Sequence, residues 1–152
     1  MKNSSSVVNF ISESNRIEGI LRAPTDAEIE EYYRFMALDI VTIEELIQFV
    51  SVYQPDAVLR DRPGLDVQVG GYIAPRGGPE IRERLQKILE TPYVPQPYMQ
   101  AYYQHVEYET LHPFTDGNGR SGRMLWAWQL GQAPKLGFLH TFYYQTLKAS
   151  HG

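Results

Sequence analysis

Residues 112–123, His-Pro-Phe-Thr-Asp-Gly-Asn-Gly-Arg-Ser-Gly-Arg, limit the folds open to this chain more than any other segment. Gly117 and Gly119 can take positive φ at little steric cost, and Asn118 tolerates it better than most residues, so a tight turn is expected there. Residues 120–130 follow without strand-like alternation and read as a helix. A Gly-rich turn entering a helix aims orphan N–H groups and the positive dipole end at one spot, which makes an anion nest. Arg120 and Arg123 stand at i and i+3 and share a helix face. Their guanidinium forks suit phosphate oxygens. Two cations in the first helical turn oppose the dipole, a local cost that a bound anion would offset. Asp116 offers hard oxygen ligands of the kind magnesium takes when phosphates and water complete its shell. His112 changes charge near neutral pH and is the candidate general base or acid. Phe114, between polar neighbours, is expected to point inward and anchor the loop. Asp-Gly and Asn-Gly also describe a plain hairpin turn. Residues 106–110 alternate briefly, but neither flank does so over a strand-like length, which favours a phosphate site with a base beside it.

The rest of the chain bounds what surrounds that site. A length of 152 residues suits a single domain, residues 1–152, and 43% hydrophobic residues suffice for a core. The net charge of −4 makes no case for nucleic-acid binding, and zero cysteines exclude disulfides, thiolate metal sites and cysteine nucleophiles. The apolar run at residues 7–11 is too short for a signal segment and nothing could span a membrane, so no membrane partner and a cytoplasmic location are expected. Thr25 with Glu28 and Thr42 with Glu45 are capping boxes. They open helices near 26–38 and 43–53, the second stopped before Pro55. Pro79 suits a first turn, and residues 80–90 place Ile81, Leu85, Ile88 and Leu89 on one face. Residues 91–97 form a rigid connector, and a helix over about 98–111 delivers His112. Gly131 and Pro134 end the next helix, and a last one spans roughly 135–148. The expected fold is mainly α, a helical bundle with one small β-hairpin. His105 reads as a buried, hydrogen-bonded structural histidine, because no third nitrogen or sulfur ligand is spaced to complete a zinc site with His112. The eleven tyrosines are mostly packing residues, with self-modification open to some of them.

Residues 112–123 resemble the Fic family motif, His-x-Phe-x-(Asp/Glu)-Gly-Asn-Gly-Arg-x-x-Arg, at every fixed position. The motif is long and specific. The resemblance implies a protein adenylyltransferase that moves AMP from ATP to a Tyr, Ser or Thr hydroxyl of a target protein. His112 would then take the hydroxyl proton, and Asp116 would hold Mg2+ on the phosphates. Gly117, Asn118 and Gly119 would cradle the α- and β-phosphates, with Asn118 also fixing the α-phosphate for attack. Arg120 would bind the β-phosphate and Arg123 the γ-phosphate.

Two upstream segments extend the resemblance. Ser14-Asn-Arg-Ile-Glu18-Gly19, within a segment of about 12–20, resembles the family's inhibitory motif, (Ser/Thr)-x-x-x-Glu-(Gly/Asn). There the glutamate occupies the fork of the second motif arginine, here Arg123, in place of the γ-phosphate. Taken alone, the segment is a short helix with a Gly stop. Residues 66–74 carry Val67-Gln68-Val69-Gly70-Gly71-Tyr72, a hairpin signal. It resembles the family's flap, which grips a target segment by β-augmentation and reads little of its sequence. No oligomeric state is implied. Two further functions fit these residues: removal of AMP from modified targets, with Glu18 positioning a water, and a non-catalytic, nucleotide-responsive interaction module.

Overall fold

Capping residues set where the helices begin. The structure, a computed structural model, describes residues 5–90 and 97–131. Its elements are α1 (Ser5–Ile17), α2 (Asp26–Met36), α3 (Ile43–Tyr53), β1 (Gln68–Val69), β2 (Tyr72–Ile73), α4 (Pro79–Leu89), α5 (Pro97–Leu111) and α6 (Asn118–Leu130). The mainly α bundle with one small hairpin is therefore the fold found. The expected connector, apart from Pro97, and the expected helix at 135–148 lie outside the described residues.

Thr25 closes a complete box, in which its hydroxyl accepts from Glu28 N and Glu28 accepts from Thr25 N. Thr42 makes half of one. Its hydroxyl accepts from Glu45 N, but the Glu45 carboxylate turns instead to Arg34, 2.7 Å away on α2. An inter-helix ion pair has taken the side chain that the local motif would have used. α2 ends at Met36, earlier than expected, with Ala37 as its cap.

The N-terminal segment holds more than a short helical piece. α1 runs thirteen residues and buries Val7, Phe10, Ile11 and Ser14, an i, i+3, i+4, i+7 stripe. These apolar residues join the same core as Phe35, Leu46, Phe49, Leu85, Tyr108 and Met124. α1 is thus a member of the bundle. Gly19, at φ +80, stops it, with Ile20 N bonded back to Asn15 O at 3.0 Å. α6 sits centrally, packed against α1, α2, α3 and α5. Its residues 118–127 are buried except Gly119, which is half-buried. That all-round burial explains why its sequence carries no amphipathic stripe.

The hairpin pairs Gln68 with Ile73 and Val69 with Tyr72 around a Gly70-Gly71 turn, with Gly70 at φ +57. It is shorter than the expected 66–74 span, although Ala74 N still reaches Val67 O at 3.2 Å. A second pairing has no counterpart in the sequence patterns. Residues 58–60 run antiparallel to 113–115, through the Leu59–Phe114 bridge, Arg60 N to Pro113 O and Thr115 N to Val58 O. This pairing fixes the loop after α5. Among the described residues no helix is long and apolar enough to cross a membrane.

Candidate active site

The chain turns sharply where α5 ends. His112 takes φ +49, the one non-glycine among the described residues with positive φ. That conformation is disfavoured for a side chain with a Cβ and persists only where its surroundings hold it. They do so here. Arg60 Nε donates to His112 O at 2.6 Å, and His112 N donates to Tyr108 O at 3.0 Å. Phe114 is 1% exposed and lies in the core, as its polar neighbours suggested.

Asn118 closes the loop on itself. Its Oδ1 accepts from Phe114 N and its Nδ2 donates to Phe114 O, both at 2.8 Å. The side chain is therefore a loop lock, and it is the backbone at the start of α6 that is left to meet an anion. The expected alternation of positive φ occurs in part. Gly117 takes it at φ +77, whereas Gly119 is already helical because α6 starts two residues earlier than expected. Glycine is required at 119 for another reason. A Cβ there would collide with Glu18 Oε2 and crowd the Arg123 guanidinium.

A cavity of about 680 Å³ gathers the parts. Ile17, the last residue of α1, and Glu18 after it line one part, residues 66–69 and Tyr72 of the flap another, and Glu109 of α5 with His112 after it a third. The loop contributes Thr115, Asp116, Gly117, Asn118 and Gly119, and α6 contributes Arg123. Asp116 is exposed, and its Oδ1 accepts from Gly117 N at 2.8 Å. Tyr72 lies beside His112, their ring centroids 5.8 Å apart, and its hydroxyl donates to Thr110 O at 2.5 Å. Val69 stays exposed on the flap.

Arg123 is buried at 1% exposure and held by α1 and the residue that follows it. Nε donates to Ser14 Oγ at 2.8 Å, and Nη2 donates to Ser14 O at 2.9 Å and to Glu18 Oε2 at 2.6 Å. The pair spans 105 residues of sequence. Arg120 goes elsewhere. It is buried at 3% exposure, does not line the cavity, and donates to Tyr53 O at 2.9 Å and to Gln54 Oε1. It braces the C-terminal end of α3, where exposed carbonyls favour a cation. Burial holds its guanidinium below the usual arginine range. Contact between Arg120 and a phosphate requires it to leave these partners.

Arg60, six residues before the flap segment, carries no motif in the sequence. It is 0% exposed, the most completely buried cation near the site. A charge so placed must be surrounded by acceptors, and local sequence gives no sign of which.

His105 is buried and hydrogen-bonded, as expected, with Nδ1 donating to Gly122 O at 2.9 Å and its ring stacked on Trp126 at 4.9 Å. Burial pushes its pKa down to about 3, with Arg123 adding to the effect. The imidazole is therefore neutral, and its 4.0 Å approach to Glu109 is no ion pair. A depressed histidine pKa means that the unfolded chain binds the proton first. The stability His105 contributes is complete above its unfolded value near 6.5 and is lost as pH falls toward 3. Between pH 7 and pH 5 this group is expected to remove roughly 2 kcal/mol. Urea denaturation at the two pH values checks it, with His105→Gln losing markedly less than the wild type.

Residues 26–130 match the model of the Fic/DOC family. The chain belongs to the Fic/DOC family. A Fic-type function, of the general kind that transfers a nucleotide monophosphate to proteins, follows from that membership. A search of curated proteins finds no match. α1, with Ser14, and Glu18 just after it precede the span matched in this Fic/DOC chain.

Proposed function

We propose that this Fic/DOC protein transfers AMP from ATP to a hydroxyl side chain of a target protein and that Glu18 holds it at rest. One observation carries the proposal: the Glu18 carboxylate sits on Arg123 in the same cavity as His112 and the N-terminus of α6. An anion already occupies the place that the turn and the arginine prepare for one. In the transfer, the target hydroxyl oxygen forms a bond to the α-phosphorus while the bond to pyrophosphate breaks. His112 takes the hydroxyl proton. Most of the acceleration comes from position and charge stabilisation. No cluster of three or more His, Cys, Asp or Glu among the described residues could hold a metal ion by itself. Asp116, exposed at the cavity, would hold a magnesium ion together with the phosphates, where it would neutralise charge on the pyrophosphate. The flap edge at residues 66–69 faces the cavity and would present the target segment to His112.

ATP labelled at the α- or the γ-phosphorus tests the chemistry with the Glu18→Gly variant. Transfer of the α-label supports AMP transfer, and transfer of the γ-label alone overturns it. A second reading is favoured by one observation, since the Glu18 side chain is still 38% exposed and could position a water. Net release of AMP from a modified target by the wild type, at a rate lost in Glu18→Gly, would establish removal instead.

Gly119→Ala probes the cradle itself. The new methyl group would fill space next to the Arg123 guanidinium even after Glu18 is removed. In the Glu18→Gly background it is expected to weaken magnesium-ATP binding by about tenfold, or 1.4 kcal/mol. Titration calorimetry of the two proteins measures the difference.

A further inference from the structure

One buried cation joins the two halves of the site. The Arg60 guanidinium lies among four backbone carbonyls, with Nε donating to His112 O at 2.6 Å and Nη2 to Leu111 O at 2.8 Å. Nη1 donates to Leu65 O at 3.0 Å and to Pro75 O at 2.8 Å. Leu65 and Pro75 are the two feet of the flap, one on each side of residues 66–74. Leu111 and His112 are the C-terminal end of α5, where a cation is favoured. The backbone of Arg60 adds to the same junction, its N–H bonded to Pro113 O and its carbonyl to Gly78 N. Its burial lowers its affinity for the proton, with the cation solvated by carbonyl dipoles instead of water.

We propose that Arg60 is a positioning residue that couples the flap to the His112 backbone, so that a target segment seated on the flap is sensed at the base. Two observations require more than a general structural role. The bond from Nε goes to the carbonyl of His112, the one non-glycine among the described residues held at positive φ and also the proposed base. The other side of the same planar group holds both feet of the flap. A shift of either foot must therefore tilt the guanidinium or lose a bond, and a tilt of the planar group is passed through Nε to the His112 carbonyl. Tyr72 supplies a second contact from the flap to the same histidine. The five donors of arginine in a fixed fork suit four acceptors in two directions, which the three donors of a lysine at one point cannot match.

The coupling rests on the AMP-transfer reading only for its catalytic consequence, so its test includes a readout that needs no transfer. Arg60→Lys is made in the wild-type and Glu18→Gly backgrounds. In folded protein the flap amides at residues 66–74 should exchange faster, and the NMR titration midpoint of the His112 imidazole should move. ATP binding should stay within about threefold, while kcat for transfer falls roughly tenfold to a hundredfold, the scale expected of a misplaced base. A folded Arg60→Lys protein with unchanged flap exchange and an unchanged His112 titration overturns the proposal.

Gly77→Ala is the second variant and decides the matter if Arg60→Lys does not fold. A Cβ there would meet Leu65 O at 2.5 Å and Arg62 O at 2.7 Å, which displaces one foot of the flap without altering Arg60 or His112. A moved His112 titration in Gly77→Ala supports the coupling, and an unmoved one overturns it. If Glu18→Gly shows no transfer at all while these NMR changes occur, the coupling stands and the AMP-transfer reading fails.

Discussion

His112→Ala is expected to bind ATP almost as the parent does and to lose transfer by a factor of about 100 to 10,000. That range corresponds to roughly 3–5 kcal/mol of barrier. Two facts separate binding from chemistry. The anion site is built from the start of α6 and from Arg123, whose position is set by Ser14 and Glu18. His112 enters the cavity from a different element, at the end of α5 beside Tyr72. Its backbone is fixed by Arg60 and Tyr108, so the loop should survive loss of the ring. Calorimetric ATP affinity and labelled-AMP incorporation, measured on the same preparation, check both halves. ATP binding lost together with transfer would contradict the assignment of His112 as base, because it would place the histidine in the nucleotide pocket.

Glu18→Gly is expected to raise transfer about tenfold to a hundredfold. Glu18 gives Arg123 one charge-assisted hydrogen bond, at 2.6 Å, of a kind that contributes roughly 1.5–3 kcal/mol. By free-energy arithmetic this equals about 10- to 150-fold in competition with a phosphate. Arg123 keeps both bonds to Ser14, so the guanidinium should remain in place when the carboxylate is gone. The alternative route to release is undocking of α1. That would expose Val7, Phe10 and Ile11, at about 1.5–3 kcal/mol each, a sum comparable to the whole stability of an ordinary domain. The small local change is favoured over the large one. Release in the native protein is thus expected to displace the last turn of α1 around Gly19 and leave its apolar stripe docked. Hydrogen exchange checks this: residues 15–20 should lose protection on ATP binding while residues 7–11 keep theirs.

Residues 112–123 announced themselves because their chemistry is local. Turn glycines, a helix start and arginines one turn apart leave their mark within a dozen positions. The boxes at Thr25 and Thr42 were legible for the same reason, although Glu45 left its box for Arg34, a partner on another helix. Distant partners account for the other differences. The i, i+3 spacing places Arg120 beside Arg123, yet Arg120 reaches the end of α3, a relation visible only once the helices are packed. The positive φ of His112 depends on Arg60, and the loop is held by residues 58–60 through backbone bonds that carry no side-chain signature. In α1 the inhibitory-type spacing of Ser14 and Glu18 is local, whereas the stripe at Val7, Phe10 and Ile11 gains its meaning only from the core it meets.

One assay puts the Glu18 switch to the test most directly. Initial rates of α-label incorporation from ATP are compared for the wild type, Glu18→Gly and Glu18→Gly with His112→Ala, at equal ATP and protein. The expected result is a low rate, a rate at least about tenfold higher and no rate above background. Equal rates for the wild type and Glu18→Gly, or incorporation that survives in the double variant, would contradict an AMP-transfer site held at rest by Glu18 on Arg123.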